Sequence, residues 1–213
     1  MKRIIIQIVL IAAAAFLGYQ LWDSIQDPIR FDEERSVRYR ATVERLIDIR
    51  KAQVAYREVN GQFSGNWDSL VSFVKYDSIP QIRRIGMLTD SMVEAGLTER
   101  TAMMRGLIIR DTVRISVLDY VFTADYKADS LRYIPHSGGQ EFWLGQTIIT
   151  TGSGVKVPVF EARAHNNQFL NDLKEDYEQL IINLNEQRRK NDLYPGLKVG
   201  SVTEANNNAG NWE

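Results

Sequence analysis

The chain has 213 residues, no cysteine, and 26 Lys+Arg against 27 Asp+Glu, for a formal net charge of −1. Without cysteine there are no disulfides, thiolate metal sites, cysteine nucleophile or lipid-modified cysteine. Mixed and balanced charge provides no field for a polyanion, so nucleic acid is not an expected partner.

Lys2 and Arg3 precede an apolar run over residues 4–22, with Gln7 and Gln20 as its strongly polar interruptions. At about 1.5 Å per helical residue, such a run just crosses a hydrocarbon core of ~30 Å. Ala12 and Ala15 could belong to a signal-peptidase site, but Phe16, Leu17, Tyr19, Leu21 and Trp22 continue the run beyond them. A retained signal anchor is therefore expected, with Tyr19 and Trp22 near the membrane–water boundary. The count of Lys2 and Arg3 against Arg30, Arg35, Arg38 and Arg40 does not decide orientation. A short basic start is the usual form of an export signal, so residues 1–3 are expected in the cytoplasm and the chain beyond residue 22 outside it. The rest, about 190 residues, is enough for one domain on a stalk.

Asp27-Pro28 predicts a kink or interruption just past the membrane, because proline lacks the N–H donor and its ring crowds the preceding turn. Residues 36–60 read as an amphipathic helix with Val43, Leu46, Ile49, Ala52, Tyr56 and Val59 on one face. Asn60-Gly61 is a left-handed stop. Residues 66–74 predict a second short helix that turns Trp67, Leu70 and Phe73 or Val74 inward. Between 79 and 105 the pattern is weak, with short helices at 90–95 and 98–105 on either side of Gly96. Strand character follows at 107–109, 113–117 and 131–134, the last ending at Pro135. Residues 142–150 and 155–164 flank Thr151-Gly152-Ser153-Gly154, a hairpin signal that implies an antiparallel sheet. Helical period returns over 169–190, where Phe169, Leu170, Leu173, Tyr177, Leu180, Ile181 and Leu184 form an apolar stripe and Arg188, Arg189 and Lys190 suit the dipole at the end. Residues 197–202 are a short strand and 206–210 a loop. The expected fold class is α+β: a transmembrane helix over 4–22, a juxtamembrane kink and amphipathic helix over 23–60 packed on an antiparallel sheet, and a further helix late in the domain over 61–213.

No catalytic, cofactor or metal site is expected. His136 and His165 stand far apart and outside any metal-ligand spacing. His136-Ser137-Gly138-Gly139 lacks the G-x-S-x-G pattern and reads as a turn between strands. Gly152-Ser153-Gly154-Val155-Lys156 precedes a strand, whereas a phosphate loop opens a helix. Carboxylates such as Asp32-Glu33-Glu34 and Glu175-Asp176 have no calcium-loop periodicity and read as solvated faces. The residues singled out for packing or interaction are Leu46, Ile49, Tyr56, Trp67 and Trp143; exposed aromatics, with Phe142 and Phe160, offer a partner surface as the alternative to core and edge roles.

The segment Ile49-Arg50-Lys51-Ala52-Gln53-Val54-Ala55-Tyr56-Arg57-Glu58-Val59-Asn60-Gly61-Gln62-Phe63, preceded by a membrane helix and followed by Trp67-Asp68-Ser69-Leu70-Val71, resembles type IV pilins and type II secretion pseudopilins over about the first third of the chain. In those proteins a helix also ends in a Tyr…Asn-Gly-x-Tyr/Phe pattern before a short helix. The resemblance implies a long helix packed on an antiparallel sheet and assembly through the membrane segment. Two family features are missing: a Gly-Phe cleavage pair before the apolar run, and the glutamate that registers subunits, near which Gln7 is a neutral substitute. A resident membrane component is expected ahead of a filament subunit.

The expected function is therefore a non-enzymatic, single-pass envelope protein of the bacterial inner membrane, a pilin-like subunit or scaffold of a larger secretion-type assembly. Its partners would be the membrane, other envelope proteins or a second copy. The alternative is a membrane-anchored module that binds a peptide or small ligand on the sheet edge, and a third reading is an anchored hydrolase.

Overall fold

The computed structural model describes residues 2–94 and 96–213; the side chains of Lys2, Ile5, Ile8, Leu21, Asp23, Ser24, Ile82, Arg84 and Arg110 lie outside the description. So do the expected tail residue Met1 and the helix end expected at Ala95. In chain order the elements are α1 (Lys2–Asn60), α2 (Trp67–Tyr76), β1 (Ser78–Ile85), α3 (Asp90–Glu94), α4 (Glu99–Met104), β2 (Ile109–Ser116), α5 (Val117–Val121), a 3-10 turn (Ala128–Arg132), β3 (Trp143–Thr150), β4 (Lys156–His165), α6 (Asn166–Phe169), a second 3-10 turn (Asn171–Leu173), α7 (Lys174–Lys190) and β5 (Gly196–Gly200). The protein is α+β, with a long amino-terminal helix and antiparallel sheets.

Helix α1 is continuous, and Pro28 lies inside it. The expected interruption at Asp27-Pro28 is absent: proline removes one hydrogen bond, and helical pairing on both sides carries the chain past it. Among the described residues no helix is long and apolar enough to cross a membrane. The run over 4–22 includes Ile5, Ile8 and Leu21, whose side chains are outside the description.

The chain divides into two compact units, one of residues 1–50 and 131–213, the other of residues 51–130. In the first, β3, β4 and β5 form one antiparallel sheet with β4 in the centre, Trp143 opposite Arg163 and Arg163 opposite Lys198. Its buried side chains include Phe142, Phe160, Phe169, Leu170 and Leu197, each of which stabilises by about 1.5–3 kcal/mol relative to exposure. The expected helix over 169–190 begins earlier and is broken. His165 caps α6, the Asn171–Leu173 turn intervenes, and α7 holds Tyr177 at φ −129°, ψ 29°. Asn171 and Asp172 compete locally for backbone groups, which favours a turn there. The strand expected over 131–134 is also absent. Leu131 and Ile134 are buried and Tyr133 is exposed, a spacing of three rather than two. Beyond Pro135 the chain reverses through His136, Gly138 and Gly139 at positive φ and closes with Ile134 N donating to Gln140 O at 2.8 Å.

In the second unit, the last turns of α1 meet α2 through a short connection. Gly61, at φ 75°, donates to Arg57 O at 2.8 Å and ends the helix in the left-handed conformation that glycine adopts without Cβ strain. The fully buried Gln53 then fixes the returning chain: its Nε2 donates to Ser64 O at 2.7 Å and its Oε1 accepts from Ser64 N at 2.9 Å. Asn66 caps α2, its Oδ1 accepting from Asp68 N at 2.7 Å. Strand β1, which the sequence did not announce, pairs antiparallel with β2 from Ser78 opposite Ser116 to Ile85 opposite Ile109. Pro80 sits in it without penalty because both strands of a two-stranded ribbon are edges. Val117, expected to extend a strand, instead begins α5 and is fully buried.

Candidate functional site

In the first unit, α1, α6, α7 and the start of β5 enclose a groove of about 630 Å3. Arg35, Ser36, Tyr39 and Arg40 come from α1, Asn166 and Phe169 from α6, Leu184 and Arg188 from α7, and Gly196 from β5. The α1 residues lie close together because positions four apart in a helix share a face.

Each wall is fixed by identifiable bonds. Arg38 grips Asp172 in a fork, with Nε 2.9 Å from Oδ1 and Nη2 2.8 Å from Oδ2, while Phe31 packs against Tyr177 at 5.5 Å between ring centroids. The side chain of His165 accepts from Asn167 N through Nδ1 at 3.1 Å, and the backbone N–H of His165 donates to Gln168 Oε1 at 2.8 Å. Asn166 Nδ2 donates to Asn185 Oδ1 at 2.8 Å, and Asn185 Nδ2 to Asn167 Oδ1 at 2.7 Å, joining α6 to α7. Arg188 donates from Nε to Tyr194 O at 3.2 Å and from Nη2 to Gly196 O at 3.0 Å. Glycine is required at 196, since a Cβ there would stand 2.2 Å from Ala164 O.

The groove is cationic. Arg35 pairs with Asp32 at 3.2 Å, but among the described residues neither Arg40 nor Arg188 has a carboxylate partner; Arg40 Nε donates only to Ser36 O at 3.3 Å. Tyr39, Phe169 and Leu184 supply apolar wall. A ligand here would meet guanidinium donors beside ring and aliphatic surface.

A second cluster lies on the sheet. Glu161, Arg163 and His165 alternate along β4 and so share a face. The Arg163 guanidinium lies 4.0 Å from the centre of the Trp143 ring and 5.7 Å from that of Tyr194, and its Nη1 is 3.1 Å from Oε1 of the buried Glu161. Trp143 covers Gly145, where a Cβ would be 2.4 Å from the indole. Burial, and secondarily the positive Arg189, lower the pKa of His165; burial raises that of Tyr194 against the opposing field of Arg163. The arrangement neutralises its own charges and offers stacking surface.

His136 stands exposed in its turn. Ser137 is buried, its hydroxyl donating to Ile134 O at 2.7 Å and accepting from Gln140 N at 2.9 Å, so its oxygen is spent on the turn. Among the described residues no group of three or more His, Asp and Glu is placed to hold a metal ion.

The residues singled out by sequence serve separate packing roles. Leu46 and Ile49 are fully buried on α1, and Tyr56 meets Phe73 edge-on at 5.1 Å. Trp67 opens α2 half-buried, and Trp143 stacks on Arg163 while remaining 44% exposed. None of them lines the groove. Its arginines lie on the polar sides of their helices, where a sequence pattern gives solvated charge; the Arg35–Tyr39 spacing is the available signal. Comparisons with protein-family models, curated proteins and solved structures give no match.

Proposed function

We propose that the chain is a single-pass envelope protein of the bacterial inner membrane, non-enzymatic and pilin-like in its first third, that serves as a subunit or scaffold of a larger membrane assembly. The observation that carries this reading is the apolar start of α1. Ile4, Ile6, Val9, Leu10, Ile11, Phe16, Leu17, Tyr19 and Trp22 are each 58–70% exposed. Side chains of this size favour burial by about 1.5–3 kcal/mol each, so this segment calls for a lipid or protein environment that the described residues leave unsupplied. Taken with Ile5 and Ile8 of the sequence, the run has the length of a bilayer crossing. The Gly61 stop, the Gln53–Ser64 staple and the Asn66 cap give the 49–71 segment the helix, turn and short helix that the pilin resemblance implies.

Alkaline extraction of membranes and native-detergent mass analysis test the two halves of the proposal. The protein is expected to stay in the extracted membrane pellet and to purify with other envelope proteins or further copies. Release into the alkaline supernatant overturns the anchor; a strictly monomeric, partnerless particle overturns the assembly.

A further inference from the structure

We infer that the arginine-lined groove of the first unit is a binding site for an amphiphilic organic anion: a phosphate or carboxylate attached to an aromatic or aliphatic body. The inference goes beyond the assembly reading, which needs no ligand.

Three features converge. Arg40 and Arg188 reach the groove without a carboxylate to neutralise them, and Arg35 shares only Asp32. Guanidinium forks match carboxylate and phosphate oxygens, so these residues supply anion contacts at positions already fixed by the fold. Tyr39, Phe169 and Leu184 give the same groove apolar wall, which inorganic phosphate alone cannot use. Finally, the wall is held in place: Asn166, only 5% exposed, donates from Nδ2 to Asn185 Oδ1 at 2.8 Å and so ties α6 to α7. The volume of about 630 Å3 falls in the range that encloses small organic ligands.

A free anion fits better than a bilayer headgroup. Arg35 and Arg40 lie 13 and 18 residues beyond Trp22 on one continuous helix. At about 1.5 Å per residue that is roughly 20–27 Å, whereas the polar layer extends only ~5–8 Å past the hydrocarbon core. This choice of source rests on the proposed anchor; the anion chemistry does not.

The test is calorimetric titration of the full chain in zwitterionic micelles, with phenyl phosphate and inorganic phosphate as probes. Phenyl phosphate is expected to bind saturably at one site, about tenfold more tightly than phosphate. Arg40→Gln and Arg35→Gln should each weaken both probes about tenfold with unchanged melting temperature. Tyr39→Ala should remove the preference for phenyl phosphate while leaving phosphate affinity as it was, which a general loss of folding would not do. Absence of saturable binding by either probe at millimolar concentration, or equal binding in the Arg35→Gln/Arg40→Gln double variant, overturns the site. Displacement of phenyl phosphate by nanodiscs of anionic lipid, but not by zwitterionic ones, overturns the assignment to a free anion. Failure of the membrane-extraction test with binding intact would leave the anion site standing and remove the anchor together with the distance argument for a free anion.

Discussion

Gln53 and His165 illustrate how single polar side chains hold the turns of this protein. Gln53 presents a donor and an acceptor to the backbone of Ser64 in a fully buried position, imitating the pairing of a neighbouring strand. Gln53→Ala leaves both Ser64 groups buried without partners, a loss of about 2–4 kcal/mol, measurable as a fall in urea midpoint at unchanged slope. The exposed Glu58→Ala should stay within about 0.5 kcal/mol. His165 carries a pH dependence whose sign follows from its lowered pKa. As pH falls through the unfolded value of about 6.5, the unfolded chain takes up a proton that the folded one resists, so stability is full above that range and declines below it. The proton would also occupy Nδ1, which accepts from Asn167 N. Melting temperature should therefore drop between about pH 7.5 and 5.5. His165→Asn should flatten the drop, because asparagine caps without titrating; an equal drop in that variant would exclude His165 as its source.

Among elements, long periodic stretches were legible and contact-dependent ones were not. The apolar repeat through Leu46, Ile49, Ala52 and Tyr56 lies on α1, and the Thr151–Gly154 turn joins β3 to β4. Strand β1 was hidden because Pro80 and its arginines obscure alternation, and a two-stranded ribbon demands little of it. Leu131 and Ile134 read as strand because four residues cannot separate period two from period three. The groove was illegible for a different reason: its α1 wall is fixed by Arg38 and Asp172, 134 positions apart, and nothing local in either segment names the other. On α1 itself, Leu46→Asp puts a carboxylate where the side chain is fully buried and should cost more than about 3 kcal/mol, read by denaturant unfolding. Tyr56→Asp, at a half-buried site against Phe73, should cost less. The Arg38–Asp172 fork behaves otherwise. Its carboxylate is 41% exposed, so solvent limits its worth to about 1 kcal/mol or less. Arg38 holds the pKa of Asp172 down. That contribution is present above the unfolded carboxylate range near pH ~3.9 and disappears as pH falls through the lower folded value. Asp172→Asn should therefore lower stability by about 1 kcal/mol or less above that range and flatten the acid-side decline, leaving stability at the acid end as it was.

At the level of the whole molecule, one helix carries two patterns of exposure. Residues 31–50 of α1 bury Phe31, Leu46 and Ile49, whereas residues 4–22 expose nearly every large apolar side chain that is described. A helix stabilised only by its folded units has no use for the second pattern, which is apolar around its circumference rather than along a stripe. The discriminating change is Ala13→Asp, at the centre of the run. Ala13 is exposed, so a water-facing helix accepts the substitution at the small propensity cost of about 0.7 kcal/mol or less. A helix crossing the bilayer pays about 2.5–3.5 kcal/mol for an aspartate at that depth, roughly a hundredfold in the insertion equilibrium. The variant is therefore expected to shift from the alkali-resistant membrane pellet toward the supernatant or aggregate, with the groove and the Gln53 staple retaining their thermal transitions in detergent. A variant that stays in the pellet as the parent chain does would show that residues 4–22 are covered by protein rather than lipid, and would reassign the apolar run from anchor to assembly interface.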